Sequence, residues 1–114
     1  MDVAIARGDK LGKRQAAEKA HLAVVDSATR TARRVVKRVP KSGKRHGVIR
    51  KALLGTNDPG LSPEYDGLVK SLHGECFYDG ECGTDFTLSR TVEAAESFLK
   101  RVAKAKPATQ DPAT

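Results

Sequence analysis

Tryptophan is absent from this chain, and three phenylalanines and two tyrosines are the only aromatics among its 114 residues. Leu, Ile, Val and Phe together number 24, near the level at which a highly charged chain can no longer bury enough apolar surface to fold. A thin, mostly aliphatic core is expected, with stability at the low end of the roughly 5–15 kcal/mol of ordinary domains. A partner or a second copy would help to complete it. Long hydrophobic runs are missing too. The longest uncharged apolar stretch, around Leu22–Val25, falls far short of the ~20 residues that cross a bilayer, so no membrane association is expected. The first ten residues carry Asp2, Arg7, Asp9 and Lys10, which leaves no room there for the apolar core of a secretory leader. That points to a cytoplasmic protein, in which two cysteines would normally stay reduced.

The most informative absence is that of acid. From Ser27 to Asn57 there is no Asp or Glu, while ten basic residues occur: Arg30, Arg33, Arg34, Lys37, Arg38, Lys41, Lys44, Arg45, Arg50 and Lys51. From Asp58 to Leu99 the balance reverses, with nine acids against Lys70 and Arg90. The formal charge of +7 is thus a separation along the chain rather than a uniformly basic composition. Such a block expects an anionic partner, or an embrace between the two halves of the chain itself.

Periodicity reads as mostly α. Ala17, His21, Val24, Val25, Ala28, Ala32, Val35, Val36 and Val39 recur at three- and four-residue steps, which predicts one long N-terminal helix ending near Val39, stopped by Pro40. Its β-branched content lowers intrinsic helicity, so tertiary contact must hold it. Lys41–Lys44 reads as a flexible connector, and His46–Leu54 as a short helix closed by Gly55. Ser62 as N-cap, Pro63 in the first turn and Glu64 near the positive end predict a second short helix running to Gly74. The cleanest period, Leu88, Val92, Ala95, Leu99 and Val102, predicts a C-terminal helix over about Thr87–Lys104, packed against the first. The expected organisation is a single small helical domain over residues 1–106, fraying over 1–13, with a disordered tail at 107–114. Both apolar stripes are narrow, so a homodimer sharing them fits the pattern.

Between the last two helices the triplet Gly-Glu-Cys occurs twice, at residues 74–76 and 80–82. Asp79-Gly80 is a turn signal, and a short Cys-containing hairpin or loop is expected, with Gly80 left-handed in the favoured register. His73, Cys76, Cys82 and Asp85 form the series H-x2-C-x5-C-x2-D, a four-ligand pattern for zinc. A Cys76–Cys82 disulfide and free thiols are the other readings, and free thiols are favoured. The crowding of Glu75, Asp79, Glu81 and Asp85 around both thiols opposes thiolate formation and hence a nucleophilic cysteine. Phe77–Cys82 is similar, over six residues, to the opening motif of the DCC family of predicted thiol-disulfide oxidoreductases. That family's second cysteine falls at Asp85 here, and the fold its motif opens needs more chain than follows, so nothing is carried over. His21 lies on the apolar stripe and reads as a boundary residue, and His46 belongs to the basic block. No histidine has a partner at triad spacing.

The reading is a small non-enzymatic accessory or regulatory protein that binds DNA or RNA. It needs no cofactor and grips phosphates through the ten basic residues with little base preference. The block has no aromatic for stacking and only Asn57 at its edge for an adenine edge. The alternative is an interaction module that docks on an acidic protein partner and modulates a larger complex.

Overall fold

The computed structural model describes residues 10–41 and 43–108. It is mostly helical, and no strand is present among the described residues. Helix α1 spans Lys10–Ala32, α2 Arg45–Leu54, α3 Leu61–Val69 and α4 Asp85–Lys104. Helix α3 continues without a break into a π-helical segment, Lys70–Tyr78. Among the described residues no helix is long and apolar enough to cross a membrane.

Helices α1 and α4 form the backbone of the fold and run parallel. At their N-terminal ends Lys13 pairs with Asp85 at 2.6 Å. At their C-terminal ends the buried Thr31 hydroxyl donates to the Val102 carbonyl at 2.7 Å. Alanines at 16, 17, 20, 28 and 32 are buried on α1, so its backbone comes close to its neighbours. Leu88, Val92, Ala95, Phe98 and Val102 form the facing stripe of α4. The stripe includes Phe98 where the period pointed to Leu99, which is only partly buried. Parallel helices need a crossover, and α2, α3 and the π-helical segment supply it, packing on one another and on α1. Ile49, Leu53, Leu61, Tyr65 and Leu72 complete the core.

The first helix ends at Ala32, seven residues before the expected stop at Val39. Beyond it the amides of Arg33 to Val36 turn back onto the carbonyls of Thr29, Thr31 and Ala32. The Arg34 guanidinium reaches across to the carbonyls of Ala103 and Ala105, both at 3.2 Å. These are orphaned acceptors at the negative end of α4, and a cation satisfies them well. Unwinding also lets Val39 return to the core, which a straight helix would not permit. The proline-based stop signal was therefore pre-empted by a tertiary cap.

Helix α2 ends where its Gly55 predicted. Helix α3 begins a little early: Gly60 precedes its first residue, and Ser62 is buried inside it and makes no cap. Its expected end at Gly74 is passed, because the chain widens into the π-helical segment up to Tyr78. Arg14 closes that end, donating from Nε to the Phe77 carbonyl at 2.7 Å and from Nη2 to that of Tyr78 at 3.2 Å. No hairpin forms: Cys76 lies in the π-helical segment and Cys82 in the loop that follows it. Gly80 does take the left-handed conformation, at φ 72°, and Cys76 and Cys82 are joined in a disulfide, which corrects the preference for free thiols. Thr84 caps α4 by accepting from the Thr87 amide at 3.1 Å, and Asp85 is the first residue of that helix. After α4 the chain folds back on the α2–α3 turn, where the Asn57 amide donates to the Lys106 carbonyl and that of Ala108 to Gly55. Residues 1–9 and 109–114, which include much of the expected fray and tail, lie outside the described residues.

Candidate functional site

The ten basic residues fall on the end of α1, the connector and α2. Arg30 is exposed in the last turn of α1, and Arg33, Lys37, Arg38, Lys41 and Lys44 are exposed on the turns and loop that follow. Arg45 opens α2, and Arg50 and Lys51 lie on its outer face. Two hollows flank the connector. One, about 280 Å³, is lined by Arg30, Arg33, Lys41 and Arg45 together with Asp26, Thr29, Val39 and Pro40. The other, about 680 Å³, is lined by Lys44, Arg50 and Lys51 with His46 and more apolar neighbours. The fold thus gathers most of the block around one loop. Three members have other partners: Arg30 donates to the Ser27 hydroxyl at 3.4 Å, Arg34 caps α4, and Arg50 pairs with Asp66 at 2.9 Å. Arg45 buries its Nε without a hydrogen-bond partner at the edge of the first hollow.

Among the described residues, Arg50–Asp66 is the single ion pair between the basic block and the acidic half. Three of the nine acids from Asp58 to Leu99 are engaged elsewhere. Asp58 accepts a two-point grip from Arg101, at 2.9 and 3.1 Å, and Glu64 pairs with the same guanidinium. These bonds push the Arg101 pKa up. Asp85 is held by Lys13.

The zinc series His73, Cys76, Cys82 and Asp85 does not form a ligand set. The disulfide takes both sulfurs, Asp85 pairs with Lys13, and His73 faces α1. What the fold assembles is a different cluster, containing all three histidines of the chain. The rings of His21 and His73 stack with centroids 4.3 Å apart and planes 18° apart. His73 Nδ1 lies 2.7 Å from Glu18 Oε1. His46 stands on the other side of His21, at 6.4 Å between centroids, with its Nδ1 2.6 Å from the Tyr65 hydroxyl.

Burial governs the cluster's protonation. His21 is 4% exposed, and desolvation pushes its pKa down to about 4, with Glu18 opposing the shift. Burial also lowers the pKa of His46, helped by Arg45 and Arg50. The donor in the bond between His46 Nδ1 and the Tyr65 hydroxyl is set by the imidazole tautomer. Tyr65 is fully buried, and its pKa is raised to about 12 by desolvation. His21 Nδ1 is buried and has no hydrogen-bond partner. Sequence reasoning missed this convergence because residues 18 and 73 meet only through the crossover. The available signal was that His21 and His46 both lie on buried helix faces, His46 three residues before Ile49.

Compared with protein-family models, curated proteins and solved structures, the chain matches none.

Proposed function

We propose that this chain is a small non-enzymatic accessory or regulatory protein that binds DNA or RNA by its backbone phosphates. The grip runs over the surface from Arg30 to Lys51. The observation that carries the reading is that the fold gathers these cations around one loop, and that a single member of the block pairs with an acid among the described residues. Unneutralised cations at close spacing displace the counterions condensed on a nucleic acid, which makes binding favourable and strongly salt-dependent. The block lacks aromatic side chains, which supports recognition of the backbone rather than of base faces.

The test is neutralisation of the first hollow and the connector. A variant carrying Arg30→Gln, Arg33→Gln, Lys41→Gln and Lys44→Gln should bind duplexes of every sequence more weakly. Its slope of log affinity against log salt should flatten by about 3 to 4, at ~0.9 per phosphate contact. Arg34→Gln is the contrast: its guanidinium caps α4, so its loss should lower the melting temperature more than it lowers affinity. Equal binding by wild type and the four-site variant would overturn the proposal. Absence of wild-type binding at low salt would do the same, leaving an acidic protein as the partner of this surface.

A further inference from the structure

We infer that Glu18, His21 and His73 form a binding site for one divalent transition-metal ion, with zinc(II) as the reference ion. One donor atom from each residue lies within 4.8 Å of the others. Around a tetrahedral ion at ~2.0–2.1 Å, donor atoms sit roughly 3.3 Å apart, so modest side-chain rotation closes the difference. Two imidazoles and one carboxylate suit zinc and its neighbours, and not magnesium or calcium, which prefer oxygen alone. The set leaves at least one coordination position for water or a small ligand.

Two independent features point to a ligand here. His21 Nδ1 is buried and unpaired within a side chain only 4% exposed, and an orphaned buried nitrogen of this kind is costly unless something occupies it. The third residue, His73, sits on a π-helical segment, a rare, widened geometry that is frequent at functional sites. Access exists, since the side chains of His73 and Glu18 are 31% and 23% exposed.

The stacked rings set a condition. A metal lies in the plane of each imidazole it takes, and two nearly parallel rings cannot both meet that demand. One ring must turn, and His73, the more exposed, is the one able to do so. It then exchanges its direct hydrogen bond to Glu18 for a shared ion. Bound metal would tie α1 to the π-helical segment three residues before the disulfide's Cys76. This inference does not depend on nucleic-acid binding.

The experiment is calorimetric titration of zinc(II) into the full chain, stripped with chelator and kept oxidised so that the disulfide withholds both sulfurs. One equivalent is expected to bind and to raise the melting temperature, and added chelator should reverse the rise. Glu18→Gln and His73→Gln replace partly exposed side chains, so their folds can be verified by circular dichroism. Each should weaken zinc binding by about tenfold or more. His46→Gln, outside the donor set, should leave it within about twofold. Cobalt(II) should give visible absorption bands that both ligand variants lose. Absence of stoichiometric binding, or affinity unchanged in both Glu18→Gln and His73→Gln, would overturn the assignment.

Discussion

His21 shows how a single residue can set the pH limits of a small domain. Its imidazole is neutral when folded, because burial drives its pKa from 6.5 to about 4. The unfolded chain therefore takes up this proton near pH 6.5 and the folded chain only near pH 4. The stability linked to His21 is complete above pH 6.5 and is lost as the pH falls through that window. At 1.36 kcal/mol per pKa unit, the loss is on the order of 3 kcal/mol, a large share of a marginal domain's stability. His46, whose pKa is shifted the same way, adds to it. Urea unfolding of metal-free protein should show midpoints falling steadily from pH 7 to 4.5, and a flat profile would contradict the buried neutral state. The residue's place on the apolar stripe could be read from the sequence. Its neighbours could not, since Glu18–His73 contact spans the whole crossover.

At the scale of elements, legibility followed the strength of local signals. Helix α4 was clear, with a period of buried positions, acids early and bases late. Only the substitution of Phe98 for Leu99 as the deeper residue escaped, because the true face lies a fraction of a turn away. Helix α2 was equally clear from Gly55. The ends of α1 and α3 were misplaced for a shared reason. In each case an arginine's contact with a segment distant in sequence decides the geometry, Arg34 on the end of α4 and Arg14 on the end of the π-helical segment. Pro40 and Gly74 carry ordinary stop signals, and tertiary hydrogen bonds override them. The Cys76–Cys82 disulfide belongs to the same scale. It closes a short loop and should contribute roughly 2 kcal/mol by limiting the unfolded chain. Reduction, or Cys82→Ser, should lower the melting temperature by roughly 10 °C. An unchanged melting temperature would show that the π-helical segment is held without it.

At the scale of the molecule, the separation of charge along the chain becomes a division of labour among contacts. Three acids of the acidic half are tied to cations outside the basic block: Asp58 and Glu64 to Arg101, Asp85 to Lys13. The block itself is brought together by the parallel arrangement of α1 and α4, which leaves the connector and α2 at one end of the core. The sequence could reveal the block but not whether the acidic half covers it. That depends on which residues the crossover brings face to face. The central claim is that this surface grips phosphates. Its most direct test is the affinity of the wild-type protein for a generic fluorescent duplex, measured across a salt series from low ionic strength upward. The account predicts tight binding at the low end and a slope of log affinity against log salt of about −4 or steeper, the release expected from four or more phosphates. Binding that is absent at low salt, or indifferent to salt, would contradict it.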